Sequence, residues 1–230
     1  MKKITIAIFM MLSTFSIASA ELGINVGVSG NIGVYDAAGF EMEGTEKTIA
    51  KREEALAAMA SVFIEKKLTF LPGFLGNLSV GYDHVTHDLK TSTQSRTEID
   101  LKGKIAVNDT YAQSSEITNK VSATLSNINT VYALFNVTDW LYVKAGVQEM
   151  DVKSTESLGT GSAYGDTAID GTIMAAGLQG TTDSGMFYRI EYETVDLDGA
   201  KLISTTNADN SVTLDDIGGE SARISIGKTF

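Results

Sequence analysis

The side chains of this chain best able to do chemistry are charged groups set on the polar faces of apolar strands. Glu65, Lys144, Arg189, Glu191 and Arg223 each stand opposite a run of apolar residues, and strand alternation points them all to one side of the sheet. Gathered in a narrow interior they must pair, because a buried unpaired charge costs several kcal/mol. A salt-bridged plug is the chemistry this predicts, with a gated ion path as the alternative. His84 and His87, the two histidines, lie in YDHVTHD beside Asp83 and Asp88. They are weak candidates for a zinc site or an acid-base pair, since positions i and i+3 of a strand face opposite ways. The fragments DLDG (196 to 199) and NADN (207 to 210) match pieces of calcium loops but not the full twelve-residue ligand spacing. Cysteine is absent, which removes thiol nucleophiles and cysteine-ligated metals. There is no GxSxG elbow. No catalytic residue is singled out, and a non-enzymatic role without a resident cofactor is expected.

The elements that must position these groups are short alternating strands. From Leu22 to Tyr35, Leu22, Ile24, Val26, Val28, Ile32 and Val34 share one side, opposite Gly, Ser and Asn. Small polar residues suit a crowded barrel interior better than the solvent face of a sandwich. A second strand over Ala55 to Glu65 competes with the helix propensity of EEALAAMA. Further strands are predicted over Gly76 to His84, Lys120 to Asn136 (interrupted at Asn127 and Asn129), Trp140 to Gln148, Gly171 to Leu178, Met186 to Thr194 and Ser221 to Phe230. In the sixth, Ile173 and Ala175 compete with Met174, Ala176 and Leu178 for the apolar side. Trp140 and Tyr142, next to a tight turn, are expected at a membrane interface.

Long connections centred on residues 45, 102, 159 and 207 alternate with short ones at Pro72, Thr138 and Asp183. This spacing predicts an eight-stranded antiparallel up-and-down transmembrane β-barrel with four long loops at one end. Within residues 85 to 119, Ile99, Leu101, Ile105 and Val107 alternate with charges. They read as a hairpin projecting beyond the wall, the alternative being two more wall strands and a ten-stranded barrel.

Lys2 and Lys3, the apolar run Ile4 to Leu12 and the Ala-Ser-Ala end at Ala20 form a secretory signal peptide. The expected organisation is therefore a leader at 1 to 20 and a barrel at 21 to 230. The longer chain holds no run of about 18 apolar residues, which excludes a membrane helix. Removing Lys2 and Lys3 takes the net charge from -11 to -13. Residues 36 to 54, 83 to 120, 148 to 170 and 193 to 220 hold 24 acidic and 10 basic residues, so the negative charge collects at the loop end. That distribution disfavours nucleic acid. It also suggests loop-bound divalent cations bridging carboxylates to lipopolysaccharide phosphates.

In SARISIGKTF, Ala222, Ile224, Ile226 and Phe230 share one face and the strand stops on an aromatic residue. This end resembles bacterial outer-membrane barrels, and the chain as a whole resembles the small OmpA/OmpX-like family. YVKAGVQEMD (142 to 151) with ESLGTGSAYGD is similar to surface barrels of alphaproteobacteria. The resemblance implies residence in the outer membrane of a Gram-negative bacterium and a Phe230 read by the barrel assembly machinery. It implies a role in envelope integrity, adhesion or recognition by phage or host. A small pore, and less so a lipid A hydrolase or protease, are the other classes it leaves open.

Overall fold

The computed structural model describes residues 23–47, 51–100, 115–158 and 163–230. The expected leader, and Leu101, Ile105 and Val107 of the expected hairpin, lie outside the described residues. Among those described, twelve strands form one antiparallel sheet: β1 (Ile24–Glu43), β2 (Glu46–Lys47), β3 (Lys51–Lys67), β4 (Leu78–Val85), β5 (Leu89–Lys90), β6 (Gln94–Asp100), β7 (Ser115–Asn136), β8 (Leu141–Ser157), β9 (Thr167–Thr181), β10 (Met186–Leu197), β11 (Ala200–Ile203) and β12 (Ser211–Thr229). Eight of them, β1, β3, β4, β7, β8, β9, β10 and β12, form the wall in chain order. β12 closes the ring on β1 from Asn25↔Thr229 to Met42↔Ser211. The last residue is part of that seam, since Phe230 N–H donates to Ile24 O at 2.8 Å. β5 and β6 pair only with β7 and carry β4 onward, so the ring has eight strands and not ten.

The strands are far longer than a membrane requires. β7 has 22 residues where about 9–11 suffice to cross. Segments expected as irregular loops are therefore paired strand: 37 to 43 and 51 to 54 belong to β1 and β3, 149 to 157 to β8, and 211 to 219 to β12. Ala55 to Glu65 is strand from Lys51 onward, because its register with β1 turns Leu56, Ala58, Ala60 and Val62 outward beside Val34, Ile32, Gly30 and Val28. Pairing on a pleated surface overrides local helix propensity there.

The outside of the barrel changes character along its axis. From the end bearing the tight turns, outward positions are apolar: Val26 to Val34 on β1, Val143 to Val147 on β8, Tyr188 to Tyr192 on β10, Ile224 and Ile226 on β12. Ile24 to Val34 covers about 25 Å along the axis at roughly 3.3 Å per residue and a tilt near 40°, the height of a membrane barrel's apolar band. Above it the same faces carry Asp36, Glu54, Glu149, Asp170, Asp196 and Glu220. The inside changes in the opposite sense. Buried charges fill the level of the belt, and Val85, Ile128, Met150, Val152, Ile169 and Leu197 pack together above it. The barrel is apolar outside and polar inside where lipid surrounds it, and polar outside and apolar inside beyond.

Two irregularities accommodate the change. Between Ser126 and Asn129, β7 gains one residue relative to β8, and Asn127 takes φ 51. That left-handed conformation is one asparagine tolerates, and it makes a bulge. The bulge turns Ala123 and Leu125 inward against the upper cluster while Val131, Ala133 and Phe135 stay outward. All five are odd-numbered, so an unbroken strand would have set them on one face. β12 carries the matching extra residue between Asp215 and Gly218.

Candidate functional site

The lower interior is built from cross-strand pairs of an aromatic residue with a glycine. Phe63 lies opposite Gly27, Tyr132 opposite Gly81, Tyr142 opposite Gly177 and Phe187 opposite Gly227. A Cβ on Gly81 would sit 2.4 Å from the Tyr132 ring, and on Gly177 2.5 Å from that of Tyr142. Each ring thus lies flat across the neighbouring strand, which is what lets four large aromatics share an eight-stranded interior with charged groups.

Those rings frame a network of four carboxylates and three cations. Arg189 makes a two-pronged pair with Glu65, Nη1 to Oε1 at 2.5 Å and Nη2 to Oε2 at 2.9 Å. Glu65 also accepts from Tyr132 OH at 2.9 Å and Asn25 Nδ2 at 3.0 Å. Arg223 donates to Asp83 at 3.0 Å and to Glu193 at 3.3 Å, with its Nε 3.3 Å from Glu191. Lys144 donates to Glu191 and, at 2.8 Å, to Glu193. Tyr142 OH donates to Glu191 at 2.7 Å, and Ser61 to Asp83 at 2.8 Å. Multiple hydrogen bonds per ion are the condition under which buried pairs persist in a low-dielectric interior. The void left among these groups is about 10 Å³, room for roughly one water.

The five charged residues expected inside, Glu65, Lys144, Arg189, Glu191 and Arg223, are brought together here. Asp83 and Glu193 complete the network and were not singled out as partners. Their parity could have found them, because Asp83 follows Gly81 and Glu193 follows Glu191 on the inward face. Asp83 was grouped instead with the histidines. The structure separates that group: Asp83 points inward to Arg223, while His84 is on the outer face with its Nδ1 2.8 Å from Asn129 Oδ1, and His87 is exposed. Among the described residues no cluster of three or more His, Asp or Glu is arranged to hold a metal. In the NADN turn, Asn207 Oδ1 accepts from Asp209 N–H at 3.2 Å and its Nδ2 donates to Asn210 Oδ1 at 3.4 Å.

Trp140 is 58% exposed beside the tight turn, but Tyr142 is 0% exposed and inside the barrel. The expectation of an interface position for Tyr142 is corrected by simple alternation. Once Leu141 and Val143 face the lipid, the residue between them must face the lumen. The ambiguous strand resolves the same way: Met174 is 65% exposed and Ile173 1%. Phe230 stands half exposed on the outer face at the seam, with Lys228 Nζ 5.4 Å above its ring.

No protein-family model and no curated protein matches the chain. Solved structures do. Ail, the attachment invasion locus protein of Yersinia pestis, is similar at 11% identity and TM-score 0.35, over 88% of this chain and 98% of that one. The outer membrane protease OmpT from Escherichia coli is similar at 10% identity and TM-score 0.48, over 95% and 100%. Neisserial surface protein A (NspA) is similar at 8% identity and TM-score 0.34, over 87% and 97%. These are likenesses of shape.

Proposed function

We propose that the chain is a non-enzymatic barrel of the Gram-negative outer membrane, closed to ions, that holds a tall β-walled surface above the bilayer for recognition or adhesion. The observation that carries this reading is the pairing of an interlocked charge network at belt level with strands that run on past the belt around an apolar core. A lumen stapled shut does not need long strands beyond the membrane, and a rigid platform does. The signal-like leader and the terminal Phe230 support export and handling by the barrel assembly machinery, as in the small OmpA/OmpX-like barrels. The acidic outer rim supports contact with lipopolysaccharide through divalent cations, and the hairpin ends are where a phage or host ligand would bind.

Two measurements test the reading separately. The purified full chain in planar bilayers should give no stepwise conductance, and steady openings would favour a small pore instead. Cells displaying the chain should bind host cells or phage more than cells displaying a variant with the hairpin ends shortened. Equal binding would remove the recognition role. Lipid or peptide hydrolysis lost on changing His84 and His87 would favour the enzyme class.

A further inference from the structure

The charges buried at belt level do not balance. Among the described residues, the buried charged side chains are the carboxylates of Glu65, Asp83, Glu191 and Glu193 and the cations of Lys144, Arg189 and Arg223, none more than 8% exposed. Four negative charges against three positive would leave the interior with a net charge of -1. A buried ion without a counter-charge is neutralised rather than tolerated. One carboxylate too many is therefore a question about where a positive charge comes from.

The contacts place the excess. Glu65 and Arg189 form a closed one-to-one pair through two bonds. Lys144 and Arg223 each touch both Glu191 and Glu193, which makes two anions to two cations before Asp83 is counted. Asp83 meets one cation, Arg223 Nη1 at 3.0 Å, and one neutral donor, Ser61 Oγ at 2.8 Å, and both contacts fall on Oδ2. Its neighbours across the strands are the uncharged Phe63 on β3 and Thr130 on β7. The other charges that act on it, Lys144 on β8 and Glu193 on β10, are bonded to each other. Asp83 also borders the small void, together with Ser29 of β1, Tyr132 of β7 and Ser225 of β12. Lys144, Arg189 and Arg223 line the same void, and three cations at close range disfavour a metal ion there.

We propose that Asp83 is a proton-binding site: in the closed barrel it stands as a neutral carboxylic acid, with the hydrogen on Oδ1 toward the void and Oδ2 accepting from Arg223 and Ser61. Three anions then face three cations, and the interior is neutral. The inference rests on the closed lumen proposed above and names what balances its charge.

The test uses the folded full chain in nanodiscs at neutral pH, where water-exposed carboxylates are ionised. Its infrared spectrum should show one un-ionised carboxyl stretch, which shifts when the aspartate carboxyl carbons are isotopically heavy and not when the glutamate ones are. Asp83→Asn should remove the band. Urea unfolding gives a second readout. Because Asp83→Asn exchanges one neutral group for another, its folding equilibrium should stay within about tenfold of the parent. Adding Glu193→Gln to it should cost at least about a further hundredfold, since the interior would then hold an excess cation. No such band, a band that follows the glutamate label, or an Asp83→Asn loss as large as that of Glu65→Gln would overturn the inference. Planar-bilayer recordings keep the two readings apart. No band in a barrel that stays silent overturns the proton alone, whereas the band in a barrel that conducts upholds the proton and overturns closure.

Discussion

Neutralising Glu65 should cost well more than an exchange on the water-exposed surface, and the amount follows from its contacts. The Glu65 carboxylate is fully buried, with a side-chain exposure of 0%, and takes two bonds from Arg189 and one each from Tyr132 and Asn25. Glu65→Gln keeps the shape but leaves the Arg189 cation without its counter-charge, a change that costs about 3–5 kcal/mol in buried pairs. Part is offset, because the Arg189 guanidinium also lies 4.7 Å from the Phe187 ring centroid and 5.3 Å from that of Tyr142, contacts worth about 0.5–2 kcal/mol. The expected net loss is therefore about 1–4 kcal/mol. Arg189→Gln should cost a similar amount, and the double variant clearly less than the sum, with a coupling energy of at least about 2 kcal/mol. Urea unfolding in detergent micelles, followed through Trp140, the single tryptophan, measures all three. A coupling below about 0.5 kcal/mol, the range of independent sites, would refute the reasoning, because the pair would then not be closed in the folded barrel.

Gly177→Ala should destabilise by about 1–3 kcal/mol, since its Cβ meets the Tyr142 ring at 2.5 Å. Tyr142→Phe in that background should recover little, and equal melting of Gly177→Ala and the parent in the same micelles would argue against the ring-on-glycine packing. Ile224→Arg, on the outer face within the belt, should cost about 2–4 kcal/mol in lipid, while Lys153→Arg on the outer face above it should be neutral; equilibrium folding into vesicles compares the two. Ile169→Ala should cost about 2–4 kcal/mol as a core truncation, though it lies beyond the lipid, and a loss under about 0.5 kcal/mol would mean the upper cluster is not packed. Brominated lipids should quench Trp140 most when the bromines sit close to the headgroups, and maximal quenching by bromines at the bilayer centre would contradict its place beside the turn.

The belt was legible in the sequence because lipid imposes a strict rule on every second residue. Val26, Val143, Tyr188 and Ile226 each declare a face, and their strands fall in the expected order. The inward charges were legible for the same reason. What the sequence obscured were the upper halves of the strands. There the phase of the alternation inverts, so Met150 and Val152 face inward two residues after Gln148, and Asp196 faces outward two after Thr194. Read with one fixed assignment of faces, such stretches look patternless and read as loops. β7 adds a second disguise. The residue inserted at Asn127 restores apolar parity across the inversion, so Leu125 and Val131 look like one face although they lie on opposite sides of the wall. Tyr142 was misplaced by residue type, since tyrosine is common at interfaces, where its neighbours' parity was the stronger evidence.

The inversion has one physical cause. A closed wall has two surfaces, and each level of it meets a different pair of environments. At belt height the outside is hydrocarbon, so apolar side chains must face outward, and the polar residues left for the inside can be held only by mutual pairing, as Glu65, Arg189, Asp83 and Arg223 are. Above the bilayer the outside is water, burial of apolar groups again drives them inward, and Ile128, Met150 and Ile169 form a core like that of a soluble barrel. Because both levels share continuous strands, the two cores are mechanically joined, and the upper wall inherits its register from strands fixed in the membrane. A partner bound to the described upper walls of β1 and β12 would therefore meet preformed strands, which favours tight association by lowering its entropic cost. Among the described residues that continuity fails between β3 and β5, at the height where the outer environment changes from lipid to water, and again above Val152, where β8 follows β7 alone.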